Sequence, residues 1–229
     1  MSGSLVTPET RARIRGLITP IAVGLGRVGL TPNALTIIGF GIACVAAALA
    51  ANQLWLAAGL LVVFGGVFDL FDGALARATN QASTLGAFMD SVFDRWGEAV
   101  VYVGIVWGTL QLGYERPVVL AGAAMASAFM VSYTRAKAES LGFTPGTGMA
   151  NVGLAPREVR IAILTVGLIA AGLLAVDPAS LDEGAGGGAY ALEAAALEIS
   201  LGLIAVLATI TTIQRIVHTI NQGRSRNHG

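Results

Sequence analysis

The sequence predicts an all-α polytopic membrane protein with six transmembrane helices behind an N-terminal interfacial amphipathic helix. Three observations carry this. The 229 residues are 55% apolar and only 12% charged, about half the charge of a soluble domain. Their mean hydropathy is +0.72. The apolar residues also gather into runs of the length that crosses a bilayer as a helix, roughly 20 residues. A bundle of this size has one core, so residues 1–229 read as a single domain.

In chain order, residues 8–29 read as a basic amphipathic helix lying in the membrane interface, with Arg11, Arg13 and Arg15 leading it and a break near Pro20. Pro20, Gly24, Gly26 and Arg27 interrupt the apolar stretch, which argues against a signal peptide. Six spans follow, at 33–51, 54–78, 83–112, 117–138, 158–176 and 191–219, then a tail at 220–229. Thr31-Pro32-Asn33 starts the first span, because proline fixes φ and the polar side chains cap exposed amides. Arg116-Pro117 opens the fourth. The stretches Gly142–Pro156 and 177–190, the latter rich in glycine and acids, read as irregular loops. Cys44 is the single cysteine, which excludes an intrachain disulfide framework. The formal net charge is zero and gives no reason to expect a nucleic-acid partner.

Basic residues set the expected orientation. With six spans both termini share one side with the loops near 77–83 and 135–160, and every Lys and Arg except Arg116 falls there. The positive-inside rule makes that side cytoplasmic, in the cell membrane.

Against this background the segment DLFDGALARATNQASTLGAFMDSVFD stands out. An ionisable group at the centre of a membrane helix costs about 2.5–3.5 kcal/mol on insertion scales. Here Asp69, Asp72, Asp90 and Asp94 fall at helical spacing in two consecutive spans joined by a short connection. Residues three or four apart share a helix face, so the two pairs can face one another near the cytoplasmic interface. One such acid alone could be an interhelical polar contact; four demand cations between them. Hard carboxylate oxygens suit Mg²⁺, Mn²⁺ or Ca²⁺ and leave metal positions for substrate phosphates. Arg77 adds a cation for a diphosphate oxygen. Gly73 and Gly86 let a ligand approach the backbone. The inferred ligand is a metal-bound diphosphate at the membrane surface.

A second basic group, Arg135, Lys137, Arg157, Arg160 and Arg215, falls at the inner helix ends. Snorkelling to the interface is one reading of it. A pocket for an anionic acceptor is the other, since guanidinium forks match phosphate oxygens. Ser132, one turn before Arg135, adds a hydroxyl.

The pattern Asp69-x2-Asp72-Gly73-x2-Ala76-Arg77-x8-Gly86-x3-Asp90-x3-Asp94 resembles, without departure, the signature of the CDP-alcohol phosphatidyltransferases. The resemblance implies transfer of a phosphatidyl-type group from a CDP-lipid to an alcohol with release of CMP, by a homodimer using two divalent metal ions, Mg²⁺ or Mn²⁺. It implies that Asp69, Asp72, Asp90 and Asp94 hold the metals and that Asp94 is the catalytic base. It further implies that Asp69, Asp72, Gly73, Arg77 and Gly86, with Pro32 and Thr36, bind the CDP-lipid. The strings GLTPNALTIIG and SYTRAKAESLG, Arg157-x2-Arg160, and Gln214-Arg215 followed by His218 are similar to the phosphatidylinositol-phosphate synthase branch. In that branch the cations at positions 135, 157 and 215 are implicated in binding inositol phosphate. The chain departs from the branch in having Arg135 where Lys is common, and in residues 143–156.

Three alternatives remain at this level. Glycerol 3-phosphate is a competing acceptor. A membrane prenyltransferase would also chelate Mg-diphosphate with aspartates, but the Gly73, Ala76-Arg77 and Gly86 spacing argues against it. A cation transporter could use intramembrane acids, but would need neither Arg77 nor the cytoplasmic arginines.

Overall fold

The structure is a computed structural model that describes residues 8–143, 152–175 and 186–227. Within these residues the chain forms seven helices and no strand: α1 (Pro8–Arg27), α2 (Pro32–Ala51), α3 (Trp55–Ala78), α4 (Thr84–Gln111), α5 (Glu115–Ser140), α6 (Arg157–Leu174) and α7 (Gly186–Asn227). Residues 144–151 and 176–185, which include most of the two expected loops, lie outside the described set, as does His228 of the tail.

The starts of the helices follow local chemistry. Thr31 caps α2, its hydroxyl accepting from Ala34 N at 3.2 Å, with Pro32 in the first turn. Ser83 caps α4 in the same way, accepting from Gly86 N at 3.0 Å. Between them α3 ends in a short turn in which Asn80 has φ +55°. The left-handed region suits asparagine better than most residues.

Three expectations change. α1 runs unbroken through Pro20, since proline removes a single amide hydrogen bond and the turns on either side persist. α7 begins at Gly186, inside the expected loop, and continues beyond 219 to Asn227, so most of the expected tail is helical. Finally, α2, α3, α5 and residues Leu192–Ser225 of α7 are, among the described residues, the four helices long and apolar enough to cross a membrane on length and composition. The other two expected spans carry too much charge to qualify. α4 holds Asp90, Asp94, Arg95 and Glu98, while α6 has 18 residues and opens with Arg157, Glu158 and Arg160. These charges are the ones that build the site described below.

Small residues let the helices pack with their backbones close. Cβ atoms at Gly104 and Gly108 on α4 would collide with the carbonyl oxygens of Ala47 and Ala50 on α2. On α6, Gly172 sits against the Leu56 backbone of α3 and Gly167 against Ser200 of α7. Ala46, Ala50, Ala58, Ala121, Ala124 and Ala171 join Trp55, Tyr102, Ile105, Leu168, Leu201 and Ile204 in the buried core. α1 packs on α3 through a separate apolar cluster of Ala22, Leu35, Ala74 and Leu75.

The α2–α4 contact makes a specific demand on Gly108. Gly108→Val is expected to force the two helices apart and to destabilise the protein by about 1–3 kcal/mol, the usual cost of overpacking. Gly41→Ala on the same α2, where an added Cβ meets nothing within 4 Å, should leave the protein as stable as before or more so. Thermal unfolding of the two variants in one detergent checks the contrast.

Candidate active site

The acids lie where α3 and α4 converge on the start of α2. Asp69 and Asp72 belong to the C-terminal half of α3, Asp90 and Asp94 to the N-terminal half of α4. All four line one cavity of about 650 Å³, together with Gly73, Arg77 and Arg157. An adjoining cavity of about 200 Å³ is lined by Pro32, Thr36, Asp72, Gly73, Arg77, Gly86 and Asp90, among others. The second cavity thus gathers every expected CDP-lipid residue except Asp69, from three consecutive helices.

Hydrogen bonds order this wall. Thr36 Oγ1 on α2 donates to Asp72 Oδ2 at 2.8 Å, and the other Asp72 oxygen accepts from Gly73 N. The Arg77 guanidinium lies over Gly73, where a Cβ would come within 3.3 Å of Nη1. At Gly86 a Cβ would meet Ser83 Oγ at 3.1 Å and Asn33 Oδ1 at 3.4 Å. Both glycines therefore keep the cavity wall thin where it meets α2 and the α3–α4 turn. Gly39 does the same for Asp69, because a Cβ at that position would sit 2.8 Å from Asp69 Oδ1.

Two acids are bridged by an arginine. Arg157, the first residue of α6, places Nη2 at 2.9 Å from Asp69 Oδ2 and Nη1 at 3.0 Å from Asp94 Oδ2. One planar fork therefore spans α3 and α4. The donor set suits a hard divalent cation: oxygen-only, anionic, and already attracting a positive group between two of its members. Among the described residues, however, no three acids converge closely enough to hold a single metal ion as they stand. Asp69 and Asp94 face Arg157, while Asp72 faces Thr36.

The remaining expected acceptor residues separate into two kinds. Arg160 is 1% exposed and its fork is committed to Glu98 on α4, with Nε to Oε1 at 2.9 Å and Nη2 to Oε2 at 2.7 Å. Its Nη1 donates to Ala155 O at 3.1 Å. The expected phosphate contact at Arg160 is therefore a side chain that this structure commits to Glu98 and to the Ala155 carbonyl. Arg215 on α7 is bonded to carbonyls, with Nε to Val152 O at 3.0 Å and Nη1 to Val131 O at 2.6 Å. That second bond reaches α5 one turn before Arg135, so Arg135 and Arg215 occupy neighbouring positions. Arg135 pairs with Glu139 at 2.8 Å on an exposed helix edge. Ser132 is half-buried on α5.

Sequence reasoning missed Glu98 and Gly39. Glu98 left a signal, being the third acid in its apolar span and one turn beyond Asp94. Gly39 left none, because its role depends on α3 approaching α2.

Comparisons with known proteins place the chain in a family. The family model described as CDP-alcohol phosphatidyltransferase matches residues 29–211. The archaetidylinositol phosphate synthase of Pyrococcus horikoshii is 34% identical over 208 residues, covering 91% of this chain and 93% of that protein. The phosphatidylinositol phosphate synthase of Mycobacterium bovis is 34% identical over 214 residues, covering 92% and 88%. Among solved structures, the Mycobacterium tuberculosis phosphatidylinositol phosphate synthase with CDP-DAG bound superposes with a TM-score of 0.72 at 29% identity, over 88% of this chain and 92% of that one. The same enzyme in complex with manganese and citrate gives a TM-score of 0.71 at 28% identity, over 88% of each chain. An uninterrupted aspartate signature, a cavity that collects it, and a family match over most of the chain lead to one conclusion: this chain belongs to the CDP-alcohol phosphatidyltransferase family.

Proposed function

We propose that the protein transfers a phosphatidyl-type group from a CDP-lipid to an inositol phosphate, releasing CMP. The observation that carries the acceptor is Arg157, whose guanidinium touches both Asp69 on the donor side and Asp94, the candidate base. A phosphate held by that fork brings the rest of an acceptor beside Asp94. The names of the relatives support the same headgroup, since the archaeal and bacterial enzymes both specify inositol phosphate and differ in the lipid.

In this reading the 200 Å³ cavity takes the CDP part of the donor. Arg77 meets a diphosphate oxygen, and Gly73 and Gly86 admit the ligand to the backbone. Thr36 orients Asp72, and Pro32 shapes the entrance at the start of α2. Asp69, Asp72, Asp90 and Asp94 would hold two divalent ions, Mg²⁺ or Mn²⁺, once drawn together around them; the manganese in the M. tuberculosis structure supports this. When bound, such ions neutralise the diphosphate and the leaving CMP. Arg157, Arg135, Arg215 and Ser132 receive the acceptor phosphate. The Asp94 carboxylate takes the proton of the acceptor hydroxyl as its oxygen bonds to the lipid-linked phosphorus, and the bond from that phosphorus to CMP breaks.

The membrane placement belongs to the same proposal. α4 and α6 complete a six-span bundle with α2, α3, α5 and α7, their charges sheltered from lipid by their neighbours. α1 lies in the interface, both termini and the site face the cytoplasm, and the protein is multi-pass in the cell membrane. That position lets a lipid-tailed donor meet a water-soluble acceptor. Two copies form a homodimer, and residues 1–229 act as one catalytic domain.

Two measurements test the chemistry. With CDP-diacylglycerol and Mg²⁺ or Mn²⁺, CMP release is expected with inositol 1-phosphate and to be at least about tenfold slower with inositol or glycerol 3-phosphate. Preference for glycerol 3-phosphate would make the protein a phosphatidylglycerophosphate synthase instead, and no CMP with any acceptor would overturn the enzyme reading. Asp94→Asn should lower kcat by about 10²–10⁴-fold, the range for a lost general base, while CDP-lipid binding survives. Equal loss of binding and turnover would make Asp94 chiefly a metal ligand.

A further inference from the structure

The segment that leads into α6 is fixed from several helices at once. Thr211 Oγ1 on α7 accepts from Leu154 N at 3.0 Å and from Ala155 N at 2.9 Å. Arg215, one turn along α7, holds Val152 O. Gly153 has φ +121°, and a Cβ there would collide with Thr211, so the backbone runs flush against α7. Arg160 then ties Ala155 O to Glu98 on α4. Arg157 begins the helix directly after this segment.

The two arginines of α6 meet two acids of α4 in a ladder. Arg157 and Arg160 are three residues apart and Asp94 and Glu98 are four apart, so each pair shares a helix face. The outer rung, Arg157–Asp94, opens on the cavity with side chains 29% and 19% exposed. The inner rung, Arg160–Glu98, is closed at 1% and 5%. A buried ion pair is seldom more stabilising than apolar residues of equal volume. What a bidentate fork adds is direction, because two parallel hydrogen bonds fix both separation and orientation. α6 packs along α3 and α7, and this rung fixes its distance from α4.

We propose that the Glu98–Arg160 pair is a positioning device for acceptor recognition: it clamps α4 to the first turn of α6 and so holds the Arg157 guanidinium beside Asp94. The proposal rests on the reading of Arg157 as the cation for the acceptor phosphate. Neither Glu98 nor Arg160 lines the cavity assigned to the CDP group, so their loss should be felt by the acceptor and not by the donor.

The test is steady-state CMP release with both substrates varied, in Glu98→Gln, Arg157→Ala and the double variant. Glu98→Gln keeps the size of the side chain and removes its charge. Its acceptor KM should rise about tenfold, as for one misplaced charge-assisted contact, with the CDP-diacylglycerol KM changed by less than about twofold. The double variant should match Arg157→Ala alone, because the pair acts through Arg157. Multiplicative effects, or an equal rise in both KM values, overturn the positioning role. Arg160→Lys keeps the charge but loses the fork; it carries the same cycle where Glu98→Gln fails to elute as a folded species. Wild-type turnover of inositol in preference to its phosphate would overturn the phosphate role of Arg157 itself. Multiplicative effects in an enzyme that does use inositol phosphate overturn the positioning role alone.

Discussion

Everything at this site depends on one constraint: carboxylates placed in apolar helices must be balanced by cations nearby. A buried charge is costly unless it is paired, and four of the five acids here meet a specific partner. Asp69 and Asp94 share Arg157, Glu98 has Arg160, and Asp72 takes the hydroxyl of Thr36. The first helical turn of α6 supplies two of these partners, which is why that helix opens with charge before turning apolar.

Close packing makes this balance geometrically possible. Gly104 and Gly108 bring α4 onto α2, and Gly59 and Gly172 bring α3 onto α6. Those contacts set the helix walls within reach of one another, so that side chains from α2, α3 and α4 line the smaller cavity and Arg157 joins α3 and α4 around the larger one. A bundle of bulkier residues would separate the walls and leave the acids without partners. The glycines and the charges are therefore parts of one arrangement.

Much of the aspartate-lined cavity wall was legible in the sequence. Asp69, Asp72, Gly73, Arg77, Gly86 and Asp90 are local in the chain, and helical spacing alone places them on facing surfaces. The caps at Thr31 and Ser83 are equally local. What could not be read depends on contacts between distant segments. Arg157 and Arg160 look alike in sequence, yet one faces the cavity and the other is enclosed against Glu98. The two lie on one helix face, about 60° apart around the axis and about 4.5 Å apart along it, and only packing decides which of them is enclosed. Among the described residues, α4 and α6 fall short of membrane spans on composition, which weighs each charged residue without its partner. Pro20 misled in the opposite direction, as a local breaking signal that the surrounding helix tolerates.

The central claim is that Arg157, set between the donor acids and Asp94, makes the site specific for a phosphorylated acceptor. Calorimetric titration of inositol 1-phosphate and inositol into the Mg²⁺-loaded protein tests this most directly. The phosphate should bind and inositol should not, with binding lost in Arg157→Ala and at least as tight in Asp94→Asn, where the guanidinium loses a competing carboxylate. Equal binding of both ligands, or unchanged binding of the phosphate by Arg157→Ala, would contradict it.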